Sequence, residues 1–210
     1  MQAFSRILHN FIVFEGIDGS GTSTQLGILK KKLGDKIFAT AEPTELPTGL
    51  FLRRMLKGEF SVDERTAAFL FAADRCEHIY GKGGITEHVQ NGKIAVSDRY
   101  IFSTLAYQSA SFGDDIPHLV NSAFPLPEAL FYFRIDPSLS FERVVHRAGQ
   151  KEIYEKADFQ KTTARRYDAV IEAFAKKEAM NIITLDASRP IEETAEKIWS
   201  YFENLPILKS

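Results

Sequence analysis

A glycine-rich segment near the N-terminus has the residue types and the spacing that bind phosphate. Residues 16–24 read Gly-Ile-Asp-Gly-Ser-Gly-Thr-Ser-Thr and directly follow the apolar run at residues 11–15. Glycines between a strand and a helix let backbone N–H groups converge on phosphate oxygens, and the helix dipole adds to that attraction. Ser23 stands where a hydroxyl would complete the coordination of Mg²⁺. For this segment alone, a strand-to-helix turn without a ligand is an equally good interpretation.

One position of this segment departs from the usual phosphate-loop pattern G-x-x-x-x-G-K-[ST]. Thr22 occupies the place of the lysine, whose side chain normally reaches the terminal phosphates of a bound nucleotide. Loss of one preorganised charge typically lowers a transfer rate by about 10²–10³-fold. A transferring enzyme with this loop would therefore need a cation from another segment.

An Asp-Arg pair follows another apolar run, at residues 93–97. Asp98 would end a buried strand that faces the glycine-rich loop, where a carboxylate can bind Mg²⁺ directly or through water. Arg99 can contact a transferring phosphate, or an acceptor monophosphate, through two parallel hydrogen bonds. A local ion pair that caps the strand is the alternative interpretation.

Strands and helices in alternation would position these residues. The runs that predict strands are residues 11–15, 36–41, 93–97, 130–135 and 181–185. The helical patterns are residues 22–33, 66–90, 138–147, 159–180 and 192–202. This alternation predicts an α/β fold in which a parallel sheet is covered by helices on both faces. Ligands of such sheets bind at the carboxyl ends of the strands.

The length and amino-acid composition exclude several classes of protein. The chain has 210 residues, 44% hydrophobic and 26% charged, with a formal net charge of −2. This predicts one compact domain over residues 1–210 and disfavours a whole-surface interaction with nucleic acid. The single cysteine excludes an internal disulfide framework. No apolar run approaches the roughly 18 residues of a membrane span, and no cleavable signal pattern is present. We therefore expect a cytoplasmic protein that does not bind a membrane. From the net charge we also expect that it does not bind nucleic acid.

Five motifs in order resemble the thymidylate kinase (dTMP kinase) family over nearly the whole chain. Residues 14–25 resemble F-E-G-[IL]-[DE]-G-[AS]-G-K-[ST]-T-Q, and residues 42–53 resemble the E-P…G…R segment. Residues 70–75 match L-F-A-A-D-R, residues 97–100 contain D-R-Y, and residues 103–108 continue as the family does. The ordered combination is specific, whereas each motif alone is weak.

The resemblance implies a fold, a reaction and an assembly. The fold would be the P-loop kinase fold, with a five-stranded parallel sheet, helices on both faces and a small lid at about residues 141–157. The reaction would transfer the γ-phosphate of ATP to dTMP, with Mg²⁺, to give dTDP and ADP in dTTP synthesis. The family forms homodimers, to which the apolar-rich helix at residues 66–80 would contribute.

The resemblance also assigns residues around the phosphates. Ser23 and Asp98 would bind Mg²⁺, and Arg99 would contact the transferring phosphate. Arg53 would hold the phosphate of dTMP, and Asp18 would meet the 3′-hydroxyl or the metal shell. The residues expected around the ATP phosphates are Gly16, Asp18, Gly19, Ser20, Gly21, Thr22, Ser23 and Thr24.

A further set of matching residues would recognise the thymine base and the deoxyribose. Phe71 and Arg75 share one helical face, where the ring would stack on thymine and the guanidinium would bind its O4 edge. Thr104 and Gln108 would hydrogen-bond the ring, and Tyr107 would pack against the sugar and disfavour a 2′-hydroxyl. The alternative for Phe71 is a core position. The full acceptor set, with Glu42 as an orienting residue, is Asp18, Glu42, Arg53, Phe71, Arg75, Arg99, Thr104, Tyr107 and Gln108.

The lid segment offers cations that could replace the missing loop lysine. Arg143, Arg147 and Lys151 recur at intervals of four, so they would form one basic stripe on a helix. We expect Arg147 or Lys151 to close over the ATP phosphates and to act with Asp98 and Arg99 in catalysis. The family's lid arginine is itself absent, because Ile153 occupies its place. A solvated basic face is the alternative.

Three other functions remain open at the level of sequence. One is a kinase of another deoxynucleotide or of a deoxynucleoside. Another is a nucleotide-binding protein that lost catalysis together with the lysine. The third, an unrelated P-loop domain, would account for the loop but not for the motifs assigned to thymine.

Overall fold

Five strands form the centre of the molecule. The computed structural model describes residues 6–112, 115–148, 153–177 and 180–209. Its strands are β1 (Ile7–Glu15), β2 (Ile37–Ala41), β3 (Ile94–Asp98), β4 (Leu126–Arg134) and β5 (Asn181–Asp186). They pair in parallel in the order β2-β3-β1-β4-β5. The predicted five-stranded parallel sheet is therefore confirmed, although β1 and β4 begin earlier than predicted.

The sheet is covered on both faces. Residues 11–14 of β1 and residues 94–96 of β3 have no solvent exposure. Successive residues of a strand point to opposite faces of the sheet, so burial of consecutive residues requires a layer of helices on each side. This arrangement explains why the strand sequences are continuous apolar runs rather than alternating ones.

Among the described residues, the helices that surround the sheet include four that the helical patterns of the sequence did not give, at residues 47–56, 101–112, 115–121 and 206–209. In chain order the helices are α1 (Thr22–Leu33), α2 (Pro47–Leu56), α3 (Glu64–Tyr80), α4 (Ile85–Gln90), α5 (Ile101–Phe112), α6 (Asp115–Asn121), α7 (Pro137–Ala148), α8 (Ile153–Lys177), α9 (Ile191–Phe202) and α10 (Pro206–Lys209). The single helix predicted over residues 66–90 is wrong, because a glycine-rich turn separates α3 from α4. Gly83 in that turn has a φ of +73°, which glycine adopts without strain. None of the helices in the described ranges is long and apolar enough to cross a membrane.

The carboxyl ends of β1 and β3 lie side by side. Phe14 is in register with Asp98, and the N–H of Arg99 donates to the carbonyl oxygen of Phe14 at 2.9 Å. Since β1 leads into the glycine-rich loop and β3 leads into the Asp-Arg pair, this register places both segments at one edge of the sheet. The edge is where ligands of open parallel sheets bind.

Candidate active site

The phosphate loop (residues 16–24) contains two glycines in the left-handed region of the backbone. Gly21 has a φ of +97° where α1 begins, and Gly19 has a φ of +85°. A Cβ on Gly19 would also lie 2.6 Å from the carbonyl oxygen of Ser140 in α7. Thr22, in the place of the usual lysine, is the buried first residue of α1. The loop can thus offer backbone N–H groups and hydroxyls to a phosphate, but no side-chain cation.

Helix α7 is attached to the phosphate loop by hydrogen bonds. The hydroxyl of Ser140 donates to the carbonyl oxygen of Asp18. Nη1 of Arg143 donates to the carbonyl oxygen of Ala187 at 3.0 Å and to that of Gly19 at 3.4 Å. These contacts couple the position of α7 to the conformation of the loop, and they place one residue of the basic stripe beside it.

Ser23 and Asp98 form a pair where the loop meets the end of β3. Oγ of Ser23 lies 2.5 Å from Oδ2 of Asp98. The other carboxylate oxygen, Oδ1 of Asp98, is buried and has no hydrogen-bond partner among the described residues. In those residues no group of three or more His, Cys, Asp or Glu side chains could hold a metal ion. The pair suits Mg²⁺, which often takes only one or two protein ligands and completes its shell with phosphate oxygens and water.

A cavity of about 190 Å³ opens beside the loop, next to α2, α3 and α5. Its lining residues are Asp18, Glu42, Pro43, Leu56, Phe71, Arg75, Arg99, Tyr100, Ser103, Thr104 and Tyr107. The structure therefore brings together most residues of the predicted acceptor set. Arg53 instead lines the neighbouring cleft and donates to the carbonyl oxygens of Pro43 and Thr44. The side chain of Gln108 lies outside the described part of the chain.

The guanidinium of Arg75 is the centre of a buried network at the closed end of this cavity. Arg75 is only 1% exposed, and it donates to Oε2 of Glu42 from Nη2 at 2.6 Å and from Nε at 3.0 Å. It also donates to Thr104 Oγ1 at 3.1 Å and to Asn121. His78 contacts the second oxygen of Glu42 at 3.0 Å. Burial alone would raise the pKa of Glu42, but Arg75 and His78 reverse this and hold the pKa below its ordinary value.

Arg99 lies between the cavity and the phosphate loop. Its φ of +77° is a left-handed conformation that is uncommon for a residue other than glycine and is often found at functional sites. Nη2 forms an ion pair with Asp18 of the loop. Nη1 lies 3.5 Å from the hydroxyls of Ser103 and Tyr167, and the guanidinium carbon lies 5.4 Å from the ring centre of Tyr107. One cation thus faces both the loop and the acceptor cavity.

Comparison with known proteins assigns this arrangement to a family. The sequence model described as "Thymidylate kinase" matches residues 14–198, a range that contains the loop, the Ser23–Asp98 pair and the acceptor cavity. The chain belongs to the thymidylate kinase family. The family assignment does not favour the alternative functions that the sequence left open.

Three relatives of the family cover most of the chain. A protein of Treponema pallidum named "Putative thymidylate kinase" is 39% identical over 207 residues, which are 97% of this chain and 99% of the relative. The "Probable thymidylate kinase" of Methanocaldococcus jannaschii is 36% identical over 198 residues, covering 93% of this chain and 97% of its own. The "Thymidylate kinase" of Leptospira interrogans is 34% identical over 201 residues, covering 91% and 93%.

Several residues that organise the acceptor side of this family member had no predicted role. Asp74 accepts hydrogen bonds from the backbone N–H of Thr44 at 2.8 Å and from the hydroxyls of Thr44 and Thr48 at 2.6 and 2.8 Å. It thereby fixes the turn after β2. Asn121, on α6, accepts from the buried guanidinium, and Glu15 lies fully buried beneath Arg99. Asp74 and Glu15 belong to the quoted motifs, but a motif does not name the partners of a carboxylate, and no motif pointed to Asn121.

A second cavity, also of about 190 Å³, lies along the donor side of the phosphate loop. Its lining residues are Gly19, Ser20, Gly21, Thr24, Gln25, Phe133, Arg143, Ala187, Arg189, Ile191 and Thr194. Oγ of Ser20 and Oε1 of Gln25 are buried without a hydrogen-bond partner among the described residues. A ligand with donors and acceptors could satisfy both atoms here.

The side chains of the two predicted lid cations are not among those that the structure describes. Arg147 belongs to α7, but its side chain lies outside the described part of the chain, and Lys151 lies outside it altogether. Arg143, whose side chain the structure does describe, reaches the loop. The sequence did not single it out from the other two, because equal spacing in a helix does not distinguish them.

Proposed function

We propose that this family member transfers the γ-phosphate of Mg·ATP to dTMP in the cytoplasm, giving dTDP and ADP. One observation carries the proposal: Arg99 lines the acceptor cavity and pairs with Asp18 of the phosphate loop. An acceptor phosphate near Arg99 would lie next to the terminal phosphate of a nucleotide held by the loop. Phosphoryl transfer depends mainly on such positioning and on stabilisation of charge.

The lining of the acceptor cavity has the chemistry that a thymine base attached to a sugar phosphate would need. Phe71 offers a ring for stacking, and Arg75 and Thr104, which are hydrogen-bonded to each other, offer polar atoms. Because Glu42 and Asn121 already hold the guanidinium in place, little ordering would accompany base binding. A base that failed to pair with these buried groups would bind less well by several kcal/mol, which is on the order of 10⁴-fold or more.

The reaction needs no strong general base. The attacking oxygen belongs to the phosphate of dTMP, which is already ionised at neutral pH. That oxygen forms a bond to the γ-phosphorus. The bond from the γ-phosphorus to the bridging oxygen of the β-phosphate breaks, and ADP leaves with the electron pair of the broken bond. Arg99 is placed to bind the acceptor phosphate and the transferring group as negative charge moves between them.

Ser23 and Asp98 would hold the Mg²⁺ that accompanies ATP. The ion supplies neutralising charge on the nucleotide phosphates. The unpartnered Oδ1 of Asp98 supports this assignment, since a buried carboxylate oxygen without a donor is otherwise unfavourable.

Residues 141–157 would act as a lid of the single domain and supply the charge that Thr22 does not. Arg147 or Lys151 would close over the ATP phosphates. The hydrogen bonds from Ser140 and Arg143 to the loop support this, because they attach the helix that carries Arg147 directly to the phosphate site. Arg143 would hold that helix in register with the loop.

We also propose that the protein forms a homodimer through α3. An exposed stripe of apolar residues on that helix runs through Phe69, Ala73, Cys76 and Tyr80, with the exposed Glu77 beside it, and Phe69 is 55% exposed. Leu119 of the neighbouring α6 is 65% exposed. A second copy could bury this apolar surface by placing its own α3 against it, as a two-fold contact requires. Phe69→Asp should then shift the molar mass measured by light scattering from that of a dimer to that of a monomer.

The function is tested by ADP release from Mg·ATP with dTMP, dUMP, dCMP, dGMP and thymidine compared side by side. We expect dTMP to be the best acceptor. Equal or faster turnover with thymidine would identify a nucleoside kinase instead, and dTMP binding without any turnover would identify a nucleotide-binding protein. Running the panel on Thr22→Lys shows whether the missing charge limits the rate, since turnover would then rise.

A further inference from the structure

Glu15 is a fully buried carboxylate directly before the phosphate loop, and it has no role in the reaction described above. It accepts hydrogen bonds from the backbone N–H groups of Tyr100 and Ser103 at 2.7 and 3.1 Å, both through Oε1. The hydroxyls of Ser103 and Tyr167 lie 2.7 and 2.8 Å from Oε2. Glu15 thus joins the end of β1 to α5 and α8. The side chain has no solvent exposure.

The same two hydroxyls also face Arg99. Nη1 of Arg99 lies 3.5 Å from each of them, and they lie 2.9 Å from each other. A hydroxyl has one proton to donate and two lone pairs to accept with. When the hydroxyls of Ser103 and Tyr167 donate to an ionised Glu15, their lone pairs remain available to the guanidinium. The carboxylate therefore fixes the direction of every hydrogen bond between itself and Arg99.

A neutral carboxyl group at position 15 would change that direction at one of the two hydroxyls. Oε1 faces two backbone N–H groups, which can only donate, so a proton on Glu15 would have to sit on Oε2. From there it would point at the hydroxyl of either Ser103 or Tyr167, and that hydroxyl could no longer donate to Oε2. Its proton would turn to the other hydroxyl, 2.9 Å away, or toward Arg99. Fewer lone pairs would then face Nη1 of Arg99, and the negative charge that attracts the guanidinium would be lost.

The charges around Glu15 agree with this arrangement. Burial raises the pKa of Glu15 to about 7, although the Ser103 hydroxyl, Arg99 and Tyr167 act in the opposite direction. Asp18, which pairs with Arg99, and the phenol of Tyr107 are the other titratable groups that act on Arg99 and Tyr167. The charge of Glu15 in turn acts on Tyr132, whose hydroxyl contacts Asp168. The carboxylate would therefore change its charge near neutral pH.

We propose that ionised Glu15 is a positioning residue that holds Arg99 in place for the acceptor phosphate, through the hydroxyls of Ser103 and Tyr167. The inference rests on the proposed function, since it assumes that Arg99 contacts that phosphate. It predicts a dependence on pH that the phosphates of the substrates do not produce.

Glu15→Gln tests the proposal, with kcat/KM for dTMP measured across about pH 6 to pH 8. The variant loses hydrogen bonds to a charged group, and this loss should lower kcat/KM for dTMP by about tenfold at pH 8. The KM for ATP should stay unchanged. The difference between wild type and variant should shrink as the pH falls, because wild-type Glu15 itself becomes neutral. Ionisation of the substrates affects both proteins alike, so it cancels in this comparison.

Tyr167→Phe provides the second variant, with Tyr132→Phe as its matched control. Both lose one phenolic hydroxyl, but that of Tyr132 contacts Asp168 at 3.1 Å rather than Glu15 or Arg99. We expect kcat/KM for dTMP to fall in Tyr167→Phe and to stay at the wild-type value in Tyr132→Phe. This pair of variants is informative even if Glu15→Gln does not fold.

The outcomes separate the inference from the proposed function. If wild type is active and the ratio of its kcat/KM for dTMP to that of Glu15→Gln is constant with pH, the positioning role is overturned. A lower melting temperature of the variant would not change this conclusion. Equal effects of Tyr167→Phe and Tyr132→Phe would overturn it as well. A wild type without activity on dTMP would instead contradict the proposed function.

Discussion

The two sides of the phosphate loop are built differently. On the acceptor side, Arg75 and Glu42 are buried and bonded to each other, and Arg99 is held by Asp18 of the loop. On the donor side the loop carries no lysine or arginine, and Arg143 reaches it from α7 through carbonyl oxygens alone. We therefore expect the acceptor site to be formed before a ligand arrives, whereas the donor site would depend on where α7 lies.

This difference indicates how the chain can function without the usual lysine. A preformed acceptor site requires little reorganisation on binding, so specificity for the acceptor would not depend on the lid. Charge on the donor side can come from a helix that moves with the loop, as in enzymes whose lids complete the catalytic groups on closure. Substitutions on the two sides should therefore change different kinetic parameters.

Removing the cation that joins the two sides should have the largest effect. We expect Arg99→Ala to lower kcat by about 10³-fold, because this guanidinium would stabilise the transferring charge. Steady-state ADP release at saturating substrate measures it. Arg54→Ala, in an exposed pair with Glu59, is the control and should keep wild-type activity. If kcat changed as little in Arg99→Ala as in the control, Arg99 would not be the link between the sites.

The buried pair of the acceptor side should matter for stability as well as for binding. Arg75→Met leaves Glu42 buried without its cation, which should lower the free energy of unfolding by about 3 kcal/mol. Urea denaturation measures this loss, and the additional change Glu42→Gln should recover part of it. Arg134→Met removes a cation from an exposed pair with Asp168 and should leave stability nearly unchanged. Equal losses in both single variants would show that the acceptor site is not preorganised by burial.

A substitution on the donor side should weaken the binding of ATP and leave the binding of dTMP unchanged. Arg143→Ala removes the arginine contact between α7 and the loop and leaves that of Ser140 in place, so we expect the KM for ATP to rise by about tenfold. The KM for dTMP should not change. Lys176→Ala, in an exposed pair on α8, serves as the control for loss of a positive charge. A parallel rise in the KM for dTMP would mean that the two sides are not independent.

A smaller effect on the free energy of unfolding should appear at acid pH. Because Arg75 and His78 hold the pKa of Glu42 below its ordinary value against the effect of burial, the ionised carboxylate stabilises the fold above about pH 4.5. That contribution is lost as the pH falls through the lowered pKa. Urea denaturation from about pH 5 to pH 3 should therefore show a steeper loss for wild type than for Arg75→Met/Glu42→Gln. Parallel curves would contradict the assignment of the pair as an ionised one.

The sheet could be predicted because its strands are buried on both faces. Continuous apolar runs such as residues 11–15 and 93–97 mark such strands, and their alternation with helical patterns fixes a parallel topology. The predicted helix over residues 66–90 failed for a local reason. Residues 81–84 read Gly-Lys-Gly-Gly, and these glycines form a turn that ends α3 before α4 begins, so the apolar pattern on either side belongs to two helices.

The positions of the acceptor residues could be predicted from the motifs, but their partners could not. Phe71 and Arg75 were expected on one face of a helix, and both line the cavity. The Asn121 partner of Arg75 comes from a helix that no motif marks, and Arg53 binds backbone carbonyls that a sequence pattern does not specify. Contacts between elements distant in the chain depend on packing, which local spacing does not encode.

Titration calorimetry with dTMP tests the difference between the two sides most directly. The titration is made into wild type and Arg143→Ala, each with and without a non-hydrolysable ATP analogue and Mg²⁺. If the acceptor site is preformed, dTMP binds both proteins in the absence of the analogue and with the same affinity. Binding of dTMP that required the analogue, or that was lost in Arg143→Ala, would show that the acceptor site is completed only when the donor side closes.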